Sequence, residues 1–470
     1  MSDRTLRIRS RRQLGRAIVT GAFALGLVGI TTVSSSPGST AAAGVKSEGL
    51  LCTTSSGTTA GAASFVLNAK PGFINLPDGN SMQMWGYGVG NGPFQYPGPV
   101  LCVNEGDRVT ITLRNQLAVR TSLLFLGIDG VMANNVAAQA QFNGSGVLQS
   151  LTSDVAPGGS ITYTFTAGSP GTYVYESGND PELQIEMGLV GALIVRPLLP
   201  TPAELAAMTD VPVGEQATVR FAYDDRSALS RYSSEHEYLV LLTELDPDVH
   251  YAVEEGGVTT SAQYSEAYTP RYFMINGRSF PDTIAPNGAG WLPSQPYGAL
   301  SHVEPLSTNN PLPALIRYLA VGGEPYPFHP HSNHETVIAK DGRLLADGSL
   351  SALIDLSLEK FAIVVDPGST VDALFTWENI EDYSAAGKPT PVPGPSSKNL
   401  TEGEYWSGSP YLGGTGALNP EVQGKNVCGE YYHVAHNHNL AEATNYGAAF
   451  GGQLTLIRVD PVDNASCGNS

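Results

Sequence analysis

Histidines are concentrated in two short stretches of this 470-residue chain, and imidazole is the side chain that most often binds transition metals. Six of the nine histidines lie in residues 328–334 (FHPHSNH) and 431–438 (YYHVAHNH). In an extended segment, residues two apart face the same way, so we expect His436 and His438 to project together. The pattern predicts one metal site in the last third of the chain, where the two stretches meet.

The candidate ligands are five histidines and one carboxylate. They are His329, His331, His334, His436, His438 and Glu442. Three or four imidazoles with a neighbouring carboxylate suit Cu(II), Zn(II), Fe(II) or Mn(II). The alternative for each histidine is a structural hydrogen bond. His433 faces away from His436 by the period of a strand, so we expect it to be structural.

Composition and turn signals predict an all-β protein. The chain has 53 glycines and 33 prolines. Alternating runs such as Arg108–Leu113 and Ser160–Phe165 are separated by turn sequences such as Pro157-Gly158-Gly159. The same order of strand and turn signals recurs in the second half of the chain. This repetition indicates two copies of one sandwich.

The sequence divides into five predicted segments. Thr201 and Glu204 form a capping-box pattern around Pro202, which predicts a short helix in a connecting segment. The segments are an export signal (1–43), a first sandwich without histidines (44–197), a linker with the helix (198–215), a second sandwich with the metal site (216–460) and a C-terminal tail (461–470).

The first 43 residues have the features of an export signal. An arginine-rich start precedes an uncharged apolar stretch at Ala17–Ile30 and small residues at Ala41–Ala43. The run Ser10–Leu14 (SRRQL) matches a twin-arginine signal, and an ordinary secretory signal is the alternative. We therefore expect a periplasmic or extracellular protein. No later apolar run is long enough to predict a membrane span.

The net charge limits the classes of partner that the chain can bind, and the number of cysteines indicates how many disulfides to expect. The net charge of −19 argues against nucleic acid as a partner, because phosphate binding needs a basic surface. Four cysteines in an exported chain suggest two disulfides, for which three pairings exist. We favour Cys52 with Cys102 and Cys428 with Cys467, since the members of each pair lie on the same side of the predicted linker.

Several segments, in the same order along the chain, resemble the multicopper oxidase superfamily of tandem cupredoxin sandwiches. The matching segments are Tyr96–Val100 with Glu105–Asp107, Gly171–Tyr175, Gly188–Val195, Tyr272–Arg278, His329–His334 and His436–His438. The resemblance implies two tandem cupredoxin-like Greek-key β-sandwiches. It also implies copper as the metal, which the affinity order of divalent ions favours too, with another divalent transition metal as the alternative.

The chain departs from that family at most of its copper ligands. The first-domain histidines of the family would fall at Leu124, Leu126, Glu176 and Gly178. The thiolate of the blue copper site would fall at Asn437, and its second histidine at Glu442. A blue site needs a cysteine thiolate and two histidines. The resemblance therefore does not extend to the four-copper laccase reaction.

Two classes of function are consistent with these residues. The first is an exported, copper-dependent oxidoreductase with a reduced metal site in the second domain. It would take electrons from a small reducing substrate or a metal ion, or exchange them with a redox partner protein. The alternative is a non-catalytic protein that stores metal or serves a structural role in the cell envelope. The sequence does not identify catalytic residues, and it leaves the oligomeric state open.

Overall fold

The structure, a computed structural model, describes residues 48–53, 55, 61–307, 310–331, 334–349, 352–377, 431–448 and 451–459. Strands dominate these residues. The described α-helices are short: Pro181–Glu186, Pro202–Ala207 and Pro247–Glu254. The single-turn 3-10 helices are Ala228–Ser230, Ser261–Gln263, Ser265–Ala267, Asp282–Ile284 and Glu442–Thr444. The all-β prediction is confirmed.

The first sandwich consists of two sheets that enclose an apolar core. In Arg108–Asn115 every second residue is buried, and Val109, Ile111 and Leu113 are fully enclosed. One sheet has the strand order Ser81–Val89, Ala62–Asn75, Arg108–Asn115, Ser160–Thr166, Met132–Ala133, Val136–Ala137. The other has the order Leu101–Asn104, Val190–Arg196, Gly171–Glu176, Leu124–Phe125.

The second sandwich repeats this arrangement. Its first sheet has the order Tyr272–Ile275, Glu237–Leu245, Ala314–Ala320, Thr370–Phe375, Glu335–Lys340, Arg343–Leu344, with Leu358–Lys360 also paired to Glu335–Lys340. Its second sheet has the order Ser301–Val303, Leu454–Val459, Tyr431–Asn437, Tyr326–Pro330, Ile363–Val365. Each sandwich has one parallel strand pair in each of its sheets, at equivalent places. The chain therefore forms two tandem cupredoxin-like Greek-key β-sandwiches.

Four small two-stranded ladders lie outside these sheets. They pair Thr121–Ser122 with Asp154–Val155, Gln141–Phe142 with Leu148–Ser150, Val219–Phe221 with Arg231–Ser233, and Ala346–Ser349 with Ala352–Asp355.

Local predictions between the strands are confirmed where the structure describes them. The helix Pro202–Ala207 begins with the capping box of Thr201 and Glu204. Cys52 and Cys102 form a disulfide, whereas Cys428 and Cys467 lie outside the described residues, as does the export signal. Within the described ranges, the helices lack the length and apolar character that crossing a bilayer requires.

A buried ionic network joins the two sandwiches. Arg317, fully enclosed, donates to Glu237 (2.8 Å) and Asp372 (3.3 Å) of its own sheet. It also donates to Thr172 of the first sandwich (2.9 Å), whose hydroxyl in turn donates to Asp372 (2.6 Å). Arg196 of the first sandwich binds the second oxygen of Glu237 (2.6 Å). These contacts join the two sandwiches through the buried charges of Arg317, Glu237 and Asp372, with the partly exposed Arg196 at one side.

Candidate metal centre

The pairing of two strands brings the histidine stretches together. Tyr326–Pro330 runs antiparallel to Tyr431–Asn437, with His329 directly opposite His436. The backbone N–H of His331 donates across the same ladder, which extends the contact by one step. The prediction that the two stretches meet is therefore confirmed.

Four imidazole rings form a compact cluster at this place. The ring of His329 lies 4.8 Å from that of His331, 5.8 Å from that of His436 and 5.3 Å from that of His438, between centroids. The His436 ring lies 5.0 Å from His331 and 5.7 Å from His438. His436 and His438 project to the same side, as their spacing predicts. We call these four residues the histidine cluster.

Backbone carbonyls orient two of the rings in the cluster. Nδ1 of His436 lies 2.7 Å from the carbonyl oxygen of Asn437, and Nδ1 of His329 contacts that of Phe361. A carbonyl can only accept, so the shared proton belongs to Nδ1 and the Nε2 atom of each ring keeps its lone pair. This arrangement is the usual way in which a protein prepares an imidazole as a metal ligand.

The closest approach within the cluster is between two Nε2 atoms. Those of His331 and His436 are 2.9 Å apart and share a hydrogen bond. Two nitrogens bound to one metal ion at about 2.0–2.1 Å would be roughly 2.9–3.4 Å apart. The donor set and this spacing therefore fit copper or zinc. The described residues nevertheless contain no group of three or more potential ligands that is already arranged around a common point.

The electrostatic environment favours the neutral imidazole of two residues in the cluster, His331 and His436. Burial, followed by the neighbouring rings of His436, His329 and His438, lowers the pKa of His331. Burial also lowers the pKa of His436, against the effect of the Asn437 carbonyl. The neutral form is the one that binds metal ions. The rings of His331 and His436 are therefore favoured in the form that binds a metal ion.

Two other predicted ligands have different surroundings. The ring of His334 contacts Phe361, with centroids 6.3 Å apart. Glu442 accepts amide N–H groups on both carboxylate oxygens, from Asn437 (2.6 Å) and from Asn439. Both residues stay predictions as ligands, and Glu442 would have to give up an amide partner to bind a metal ion.

An amide network fills the position where the family places its blue-copper thiolate. Asn437 is fully buried, and its side-chain nitrogen donates to Glu442 and, at 2.8 Å, to Gln453. Gln453 in turn donates to the backbone oxygen of Thr243 (3.0 Å). Burial raises the pKa of Glu442, although its hydrogen bond from Asn437 opposes this effect. These contacts satisfy the polar groups that a metal ion would otherwise bind.

The first sandwich offers no imidazole at the equivalent place. There Leu124 lies opposite Glu176, as His329 lies opposite His436 in the second sandwich. Burial raises the pKa of Glu176 to about 7. Because no histidine precedes His236 in the sequence, any metal centre in this chain must draw its imidazoles from the second sandwich.

Two aromatic residues beside the cluster had no signal in the sequence. Phe361 packs edge-on against His329, with centroids 5.8 Å apart, and supplies the carbonyl that orients it. Trp377 lies against His433 (4.4 Å), on the other face of the strand from His436. Burial and the neighbouring His331 lower the pKa of His433 to about 4. These contacts agree with a structural role for His433.

Known proteins are similar to this chain in sequence over part of its length, and in fold over most of it. The multicopper oxidase family model matches residues 72–199. A nitrite reductase–hydroxylamine oxidoreductase fusion protein of Kuenenia stuttgartiensis, its name qualified as probable, is 37% identical over 144 residues, 29% of this chain and 16% of that protein. The iron transport multicopper oxidase fetC of Epichloe festucae is 42% identical over 102 residues, 22% of this chain and 15% of that protein.

The matched stretches thus span about one sixth of the length of these relatives. Among solved structures, the multicopper oxidase mgLAC superposes with a TM-score of 0.50 at 18% identity, covering 86% of this chain and 88% of that one. That likeness supports the fold. Residues 72–199 are thus similar to the multicopper oxidase family and the chain has the fold of a multicopper oxidase, although its first sandwich has no histidine and Asn437 stands where a blue copper site would have its cysteine.

Proposed function

We propose that this chain is an exported copper-binding oxidoreductase whose single metal site is the histidine cluster of the second sandwich. The observation that supports this most strongly is the 2.9 Å separation of the His331 and His436 Nε2 atoms, which belong to segments 105 residues apart. Copper bound there would supply one-electron redox chemistry. The laccase reaction is not proposed, because the other ligands of that reaction are missing from the sequence.

The residues around the cluster have defined parts in this proposal. The carbonyl oxygens of Asn437 and Phe361 hold two rings in orientation. Phe361, 63% exposed and packed against His329, offers an apolar surface to a small organic reductant. The iron transport oxidase among the relatives makes a metal ion the second reductant to test, and a redox partner protein is the third.

We expect the purified chain to bind about one copper ion, and the double variant His436→Ala, His438→Ala to lose it. The reason is that these rings supply two of the four clustered nitrogens. Elemental analysis with electron paramagnetic resonance measures both metal content and ligand type. Nitrogen-ligated Cu(II) without an intense blue absorption band is expected, since the thiolate position is Asn437.

The matched control is His236→Ala, His302→Ala, which also removes two neighbouring imidazoles, 5.9 Å apart, but outside the cluster. This control should keep its copper. Unchanged copper content in the cluster variant would show that the metal site is assigned wrongly. An intense blue band would show that a thiolate ligand has been overlooked.

A second candidate function, metal storage or a structural role in the envelope, is favoured by the absence of a first-sandwich imidazole. Turnover separates the two. An oxidoreductase should oxidise hydroquinone or Fe(II) repeatedly, each reductant losing one electron per Cu(II) reduced, with an added electron acceptor regenerating Cu(II). A storage protein would show reduction once and no further consumption. Detection of the protein in periplasmic or culture fractions, and its loss there when Arg11 and Arg12 are replaced by lysine, tests the export route.

A further inference from the structure

A cavity of about 440 Å³ lies between the two sandwiches, apart from the histidine cluster. One wall is the helix Pro181–Glu186 of the first sandwich. The opposite wall consists of Tyr264 and Tyr268, together with the turn at Gly322 and Gly323 in the second sandwich. Its size is in the range of sites for small organic ligands, which is roughly 300–1,000 Å³.

The charge at this cavity is negative. Glu182 and Glu186 line it, the first exposed at the rim and the second buried. The described lining residues include no lysine, arginine or histidine, although Nε2 of His250, outside the lining, lies 3.3 Å from Oε1 of Glu186. A ligand that enters would therefore be favoured by a positive charge.

Aromatic faces provide a second element of recognition. The rings of Tyr264 and Tyr268 lie 6.2 Å apart and are inclined at 52°. Both hydroxyls are held by the first sandwich, that of Tyr264 by the carbonyl of Glu182 (2.7 Å) and that of Tyr268 by the carboxylate of Glu186 (2.8 Å). The ring faces are thus fixed beside the carboxylates, an arrangement that attracts cations.

A buried oxygen without a partner lies behind the glycine turn. Glu244 is 2% exposed, and its Oε2 atom has no hydrogen-bond partner among the described residues. A side chain on Gly322 would collide with this carboxylate, so only the glycine backbone separates Glu244 from the cavity. Buried polar oxygens are usually satisfied by a donor. An ammonium group offers three N–H donors to such an acceptor.

We propose that this cavity binds a small organic cation, an ammonium group on an apolar or aromatic body. The carboxylates of Glu182 and Glu186 receive the charge, the tyrosine rings and Ile185 contact the body, and Oε2 of Glu244 is a further acceptor behind the glycine turn. The site is independent of the proposed copper centre.

The test is calorimetric titration of the metal-free full chain with benzylammonium, and with benzyl alcohol as the neutral analogue of similar shape. Benzylammonium should bind saturably, and benzyl alcohol at least tenfold more weakly. Glu186→Gln should weaken benzylammonium binding about tenfold and Glu182→Gln about threefold, because each removes one negative charge at the ligand. Glu266→Gln, an equal charge change on an exposed residue of the same loop that does not line the cavity, should leave binding unchanged.

The thermal midpoint of each variant shows whether it is folded. If Glu186→Gln does not fold, Glu182→Gln, at an exposed position, tests the role of charge in ligand binding. Equal binding of the alcohol and the ammonium would overturn the proposal in favour of an apolar pocket. Absence of saturable binding, or binding unaffected by both glutamate changes, would also overturn it. The variant His436→Ala, His438→Ala should bind benzylammonium normally, which separates this site from the histidine cluster.

Discussion

Replacing Arg317 by methionine is expected to lower the free energy of unfolding by about 3–5 kcal/mol, because it leaves two buried carboxylates without their shared cation. Arg317 is fully enclosed, and Asp372 is 1% exposed. Burial alone would raise the pKa of Glu237, but Arg317 and Arg196 lower it below its ordinary value. Arg317 therefore keeps the carboxylate of Glu237 ionised, whereas burial alone would favour its protonated form.

Chemical denaturation of the metal-free protein, followed by tryptophan fluorescence, measures this loss. The matched control is Arg108→Met, an exposed arginine on a strand, for which a change below about 0.5 kcal/mol is expected. Adding Glu237→Gln and Asp372→Asn to Arg317→Met should recover part of the loss, since neutral side chains need no counter-charge. A loss of unfolding free energy below about 1 kcal/mol for Arg317→Met alone would contradict the inference that this ionic network stabilises the contact between the two sandwiches.

The strands were predictable because alternation is a local property. Ser160–Phe165 was expected and Ser160–Thr166 is observed, and the capping box at Thr201 needed only four residues to be recognised. The junction had no such signal. Arg317 lies in an otherwise apolar strand, and its partners Glu237 and Asp372 are 80 and 55 residues away in the sequence. Burial of a charge depends on such distant partners, so local pattern cannot predict it.

The candidate site was also predictable only in its local features, and its contacts between distant segments were not. Spacing placed His436 and His438 on one face of an extended segment, and the structure agrees. Spacing could not show that His331 would approach His436, because that contact depends on the register of two strands far apart in the chain. Nor could it show that Glu442 would be held by Asn437, which follows from the burial of an amide that needs an acceptor.

The raised pKa values of two buried carboxyl groups, Glu244 and Asp282, are expected to lower the unfolding free energy by several kcal/mol between pH 5 and pH 8. Burial raises the pKa of Glu244 to about 8, despite a hydrogen bond from the backbone of Gly323. Burial likewise raises the pKa of Asp282 to about 7, although Arg278 opposes it. Each pKa unit of such a shift corresponds to about 1.4 kcal/mol.

The sign follows from counting protons. Between its ordinary pKa near 4.5 and its folded value near 8, Glu244 is neutral in the folded chain and ionised in the unfolded one. The folded state then binds the extra proton, so stability falls as pH rises through this window and levels off above it. Glu237 has the opposite sign, because its lowered pKa gives stability that is present above the ordinary value and lost in acid. The lowered pKa of His433, about 4, acts in the same direction as that of Glu237, up to the ordinary histidine value of 6.5.

Glu244→Gln isolates one contribution, because glutamine resembles the neutral carboxyl at every pH. Its stability should fall less steeply from pH 5 to pH 8, so that at pH 8 the variant is more stable than the unaltered protein by on the order of 2–4 kcal/mol. Glu266→Gln, exposed on the surface, should leave the slope unchanged. Denaturant titrations at four pH values between 4.5 and 8 measure these slopes. An equal slope in Glu244→Gln and in the unaltered protein would mean that the carboxyl group of Glu244 is already ionised in the folded protein across this range.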